Sequence, residues 1–134
     1  MIFRRHPIRK LAAIYAGGVC GALLRVSLGE AFPHGAETWP WPTFAANLIG
    51  AFLIGYFFAS FSDHTPDQLH HPFFATGICG SLTTFSTMQL ELFNMVDARE
   101  FLLAATYTAT TLAFGYVAVR LGIAAERSGL EVGP

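Results

Sequence analysis

The sequence predicts an all-α membrane protein: four transmembrane helices in a single domain covering residues 1–134. Composition is the first of three observations behind this. The chain is 53% hydrophobic and 13% charged and holds 13 phenylalanines, whereas soluble domains carry about 25% charged residues. The second is that charged and proline-bearing stretches divide the chain into four apolar segments. The third is that no connection is long enough to separate one domain from another, and no repeat recurs at a fixed period.

The first span is expected at about 11–29. LAAIYAGGVCGALL runs uncharged from Leu11 to Leu24 and is followed by Arg25. Crossing the hydrocarbon takes about 20 residues, so this helix has to include Arg25 or place it near one end. Gly17 and Gly21 form a GxxxG pair, which suits close helix packing. MIFRRHPIRK resembles the charged part of a signal peptide, but the apolar run passes directly into ALLRVSLGE with no convincing cleavage site.

The second span, TFAANLIGAFLIGYFFASF at 43–61, has no ionisable group. Before it, PHGAETWPWP supplies three prolines and two tryptophans, and tryptophan favours the membrane–water interface. The third span is expected at 72–93 and the fourth, beginning FLLAATYTATT, at 101–120, with VDARE as a short turn between them. SDHTPDQLHHP connects the second and third spans. Its Asp63, His64, Asp67, His70 and His71 read as a solvated loop, since their spacing matches no familiar metal-ligand pattern. Cys20 and Cys79 read as small apolar residues without metal or CxxC spacing. A net charge of −1, with no basic run interleaved with aromatics, points away from nucleic acid.

Polar groups inside the spans are expensive in lipid and mark structure or function. Arg25 is one. Asn47 lies near the start of an uncharged span, either as an interhelical hydrogen-bonder or as a pore-lining donor. Glu91 sits in the third span, and Tyr107, Thr108 and Thr111 put hydroxyls along one side of the fourth. The segment TGICGSLTTFSTM, 76–88, is rich in glycine and hydroxyl residues that free backbone groups from a helix. Irregular backbone at membrane depth survives only where protein or water satisfies it. A kink at a packing interface and an ion site are both open on composition.

Three blocks, GGVCGALLR at 17–25, TFAANLIGAFLIG at 43–55 and GICGSLTTFST at 77–87, resemble the Fluc (CrcB) family of fluoride channels. GxxGxxTTFST in a four-span chain is the most specific of them. The resemblance implies an antiparallel dimer of four-helix subunits with two fluoride pathways and a third helix broken at TTFST. It implies that backbone carbonyls of Gly80 and Thr83 from both subunits hold a structural sodium ion. Asn47 is then expected to line the pathway, Phe85 to turn its ring edge to fluoride, and Thr84 and Ser86 to share that polar region. Tyr107 and Thr111 match a polar track on the fourth helix, and Arg25 and Glu91 are expected as structural residues of a vestibule. The implied activity is passive, fluoride-selective export across the cell membrane, which lowers cytoplasmic fluoride and is not enzymatic. The implied partners are fluoride, membrane lipid and a second subunit.

Such an ion suits those groups. Fluoride is small and strongly hydrated, so a selective path replaces water with donors without holding the ion too tightly. Amides and hydroxyls donate, and aromatic rings have a positive edge. Two features depart from the pattern. Met88 stands where family members place a second phenylalanine, and a thioether lacks the ring's positive edge. The charge bias is the other: Arg4, Arg5, Arg9, Lys10, Arg120 and Arg127 fall on one side of the four spans, against Arg25 and Arg99 on the other. By the positive-inside rule this places the termini in the cytoplasm and favours pairing with an oppositely inserted homologue, since a chain that inserts equally both ways should show little bias; a dimer with a second copy is the alternative.

Rival functions fit less well. A small multidrug-type proton-coupled transporter needs a membrane-embedded carboxylate in the first helix, and this one has none. An intramembrane serine enzyme would need a base near Ser81 or Ser86, but no histidine or lysine lies within a span and GxSxG is absent.

Overall fold

The computed structural model describes residues 6–62 and 69–130, all of it helix, turn or loop with no strand among them. Asp63, His64 and Asp67 of the connecting loop, and Arg4 and Arg5, lie outside the described residues. Helix α1 runs His6–Ala31 and α2 Trp41–Ser62. The third segment is composite. A π-helical stretch Pro72–Cys79 leads into a single turn, α3, Gly80–Leu82; Thr83 and Thr84 are extended; α4 then runs Phe85–Asp97. Helix α5 covers Phe101–Leu130.

Helices α1, α2 and α5 are each long and apolar enough to cross a membrane. At 1.5 Å rise per residue, α1 is about 39 Å and α5 about 45 Å long, beyond the ~30 Å hydrocarbon layer. Both overshoot the apolar runs because their polar ends stay helical, with Arg9 and Lys10 in α1 and Arg120, Glu126 and Arg127 in α5.

Two parallel pairs make up the bundle. Gly17 of α1 lies against the Phe73 carbonyl and Gly77, while Gly21 meets the Ile78 carbonyl and Ser81. A Cβ on either glycine would overlap those atoms, so the GxxxG pair lets α1 and the π-helical stretch approach backbone to backbone. In the second pair, the Phe44 ring near the start of α2 meets that of Phe114 in α5. Further along, Gly55 lies on the Val119 backbone and Gly122 on that of Phe52 and Tyr56. Contacts that advance together along both helices show that they run the same way.

Buried side chains cluster at one end, where Phe44, Met88, Met95, Ala104 and Tyr107 from α2, α4 and α5 pack with partly buried Trp39. The Trp39 ring meets Phe44 and Tyr107 edge to face at 5.4 and 5.3 Å, an arrangement aromatic quadrupoles favour. Many other large apolar side chains face outward, among them Tyr15, Phe58, Leu102 and Leu112, while Leu82 of α3 is fully buried. An exposed apolar surface of that extent belongs in lipid or against another subunit.

The α4–α5 connection turns on Arg99, whose φ of 62° is left-handed. Its amide bonds the Val96 carbonyl at 3.0 Å and that of Glu100 bonds Met95 at 2.8 Å, which caps the last carbonyls of α4 in a Schellman motif.

Candidate functional site

The break in the third segment follows from its hydroxyl side chains. Ser81 Oγ donates to the carbonyls of Gly77 and Ile78, and Thr83 Oγ1 to that of Cys79 at 2.9 Å. This back-bonding competes with the helical ladder. Thr83 and Thr84 then turn to extended conformations, with ψ of 146° and 112°. Thr84 caps α4, its Oγ1 accepting from the Thr87 amide at 3.2 Å and donating to the Thr87 hydroxyl at 2.9 Å. The Ser86 hydroxyl lies 3.3 Å from the same oxygen.

Asn47 of α2 clasps the extended residues. Its Oδ1 accepts from the Thr84 amide at 2.8 Å, and its Nδ2 donates to the Thr84 carbonyl at 3.3 Å. One N–H of the Asn47 amide remains for another acceptor. Ending the ladder at Leu82 takes the i+4 amide donors from four backbone carbonyls, those of residues 80–83. A continuing helix would give the Thr84 amide to Gly80 and the Thr87 amide to Thr83; here those amides go to Asn47 Oδ1 and Thr84 Oγ1. The donor set at Gly80 and Thr83 is therefore neutral carbonyl oxygen, the ligand type that suits a hard cation. No group of three histidine, cysteine or acidic side chains able to hold a metal occurs among the described residues.

One turn and a half into α4, Glu91 is buried at 8% exposure and gathers three partners. The Thr43 hydroxyl at the start of α2 donates to Oε1, the Tyr107 hydroxyl on α5 donates to Oε2 at 2.8 Å, and His34 Nε2 from the α1–α2 loop lies 3.2 Å from Oε1. A buried carboxylate is tolerable only when hydrogen-bonded in this way. Beside it a cavity of about 240 Å³ has Arg25, His34, Thr43, Thr84, Thr87 and Glu91 among its lining residues. Buried within α1, Arg25 Nε has no hydrogen-bond partner, and neither does Thr111 Oγ1, one turn beyond Tyr107. Unpartnered buried donors of this kind call for a ligand or water.

The structure thus brings Arg25, Asn47, Thr84, Ser86, Glu91 and Tyr107 into one connected polar region. Phe85 stands apart, 73% exposed at the first turn of α4, and Gly80 is exposed with open space on its Cα. Met88 lies in the core between α2, α4 and α5, only 7% exposed. Thr43, Thr87 and His34 are in the region but were not among the sequence candidates. Their contacts join residues distant along the chain, or follow from the cap at Thr84, and leave no local pattern to read.

Residues 12–123 match the family described as CrcB-like protein, Camphor Resistance (CrcB). The chain is similar to a protein of Mycolicibacterium paratuberculosis named fluoride-specific ion channel FluC 1, 45% identical over 118 residues, which cover 87% of this chain and 89% of that one. The protein of the same name from Mycobacterium bovis is 46% identical over the same shares. That of Staphylococcus aureus strain RF122 is 39% identical over 81% of this chain and 93% of its own.

Proposed function

The chain belongs to the CrcB family, and from that premise we propose that it is a fluoride-selective ion channel, carrying fluoride passively out of the cell across the plasma membrane. It is a channel and not an enzyme. The observation that carries this reading is the match, over 87% of the chain, to relatives named as fluoride-specific ion channels.

The interrupted third segment supports it chemically. Fluoride needs donors in place of its water, and the region offers the second N–H of Asn47, the hydroxyl of Ser86 and the Arg25 guanidinium. It also offers the N-terminal amides of α4, the positive end of a helix dipole. Thr43, Tyr107 and His34 all point toward Glu91, so its charge is met by hydrogen bonds beside the anion's route.

A structural sodium ion at the break, held by the carbonyls of Gly80 and Thr83, belongs to the same reading. The release of four carbonyls from the ladder, those of Gly80 and Thr83 among them, supports it. Bound there, the ion would offset repulsion between converging carbonyls and favour an anion nearby. Gly80 and Phe85 are exposed beside that break, which supports completion of the site by a second, antiparallel subunit with Phe85 facing the pathway. The charge bias supports termini in the cytoplasm and, with them, an oppositely inserted homologue as the antiparallel partner; a second copy would have to insert against that bias.

A growth test addresses the reading in cells. Expression in a strain stripped of its own fluoride exporters should restore growth in fluoride medium and give no protection against chloride or a cationic drug. Drug resistance without fluoride resistance would support the transporter reading instead.

A further inference from the structure

The last third of α5 carries its two arginines on the face turned away from α2. The apolar run ends at Val119, yet the helix continues to Leu130. Gly122 packs on Phe52 and Tyr56 of α2. At ~100° per residue, Arg120 and Arg127 fall on the opposite side of α5, where both are exposed. Between them lies an open groove of about 330 Å³, lined by Arg120, Ile123, Ala124, Arg127 and Ser128. It has a short apolar floor and a guanidinium at each end.

Those guanidinium groups have donors to spare. Arg120 gives one N–H to the Tyr116 hydroxyl at 2.9 Å, and a guanidinium carries several more. Among the described residues neither arginine has a carboxylate partner. Ser128 gives its own proton to the Ala125 carbonyl at 2.9 Å, so the arginines supply the groove's free donors. Cations flanking an apolar floor fit a ligand that is both anionic and amphiphilic.

Position along the helix says which. The run from Phe101 to Val119 is about 28 Å long, so with that run in the hydrocarbon Arg120 stands at its boundary. Arg127 is about 10 Å further out. The headgroup layer is ~5–8 Å deep on each side, and the two side chains bracket the level of the lipid phosphates. Charge is segregated along the bundle in the same sense. Arg9 and Lys10 of α1 lie at this end, whereas Glu30, Glu37, Asp97 and Glu100 lie at the other. The positive end belongs on the cytoplasmic side, where the lipid surface is anionic.

We propose that this groove binds an anionic phospholipid of the cytoplasmic leaflet, with Arg120 and Arg127 converging on its phosphate and Ile123 and Ala124 beneath its glycerol. Arginine suits the role because its planar fork takes phosphate oxygens in pairs. The bond to Tyr116 holds the Arg120 side chain along the helix face. Binding depends on the membrane span and not on the cargo.

The test is thermal unfolding of the purified full chain in detergent, titrated with phosphatidylglycerol, with phosphatidylcholine or with inorganic phosphate. A ligand of the folded state raises the midpoint. Phosphatidylglycerol should do so saturably, and the other two should not at the same concentrations. Arg120→Gln combined with Arg127→Gln should weaken the apparent affinity for phosphatidylglycerol at least about tenfold, the loss expected when hydrogen bonds to charged groups are removed. Its midpoint in phosphatidylcholine should stay near the parent's. Arg9→Gln combined with Lys10→Gln removes the same charge from the same end, away from the groove, and should keep the parent's response. No shift of the parent in phosphatidylglycerol, or an equal loss of response in the Arg9 and Lys10 variant, would overturn the site. Inorganic phosphate as effective as phosphatidylglycerol would overturn the lipid as its occupant.

Discussion

Asn47 holds Thr84 by both its backbone groups, Oδ1 on the amide at 2.8 Å and Nδ2 on the carbonyl at 3.3 Å. A side-chain amide thereby does what a neighbouring strand would do, and two extended residues persist between helical segments. Asn47→Asp keeps the acceptor, loses the donor and adds a negative charge beside the anion route. Fluoride efflux should fall at least about tenfold, since each 1.4 kcal/mol is a decade and a lost hydrogen bond to a buried group costs ~1–3 kcal/mol. Efflux from vesicles at matched protein content checks this.

The glycines of α1 make a paired prediction. A Cβ at Gly17 would overlap the Phe73 carbonyl, whereas Gly18 has nothing within 4 Å. Gly17→Ala should destabilise by roughly 1–3 kcal/mol through overpacking. Gly18→Ala should be neutral or stabilising by up to ~1 kcal/mol through helix propensity. Unfolding of the two variants in the same detergent separates them.

Tyr107→Phe removes the donor to Glu91 Oε2 at a fully buried position. Because hydrogen bonds to charged groups are worth ~1.5–3 kcal/mol, the variant should lose that much stability, and its fluoride efflux should drop. Thr106→Val, whose hydroxyl bonds only its own helix at Leu102 and Leu103, is the control and should leave both unchanged.

Arg99 occupies a left-handed conformation that costs an L-residue about 1–2 kcal/mol. Arg99→Gly should stabilise the α4–α5 turn by about 1 kcal/mol, after the added freedom of glycine in the unfolded chain is subtracted. Thermal unfolding measures it, and fluoride efflux should not change.

How much of this the sequence carried depends on how local each feature is. The apolar spans and the break at Thr83–Thr84 are written in consecutive residues, as hydrophobic runs and a cluster of hydroxyls. So is the close packing of Gly17 and Gly21. The partners of Glu91 are not: Thr43 and His34 lie 48 and 57 positions away, and nothing near either signals a carboxylate. The π-helical stretch at Pro72–Cys79 has no local signature of that kind either. Met88 reads from its motif position as part of an ion path, yet its side chain packs against Phe44, Met95 and Tyr107. Rotation of α4 after its cap decides that, and a motif does not encode rotation.

The central claim is fluoride-selective conduction, and efflux from liposomes tests it most directly. The purified chain would be reconstituted alone and with an oppositely biased homologue, with chloride efflux as the control. Rapid loss of fluoride with chloride retained, from either preparation, is the expected result, and which preparation conducts identifies the partner. Fluoride retained in both, or fluoride and chloride lost together, would contradict the account.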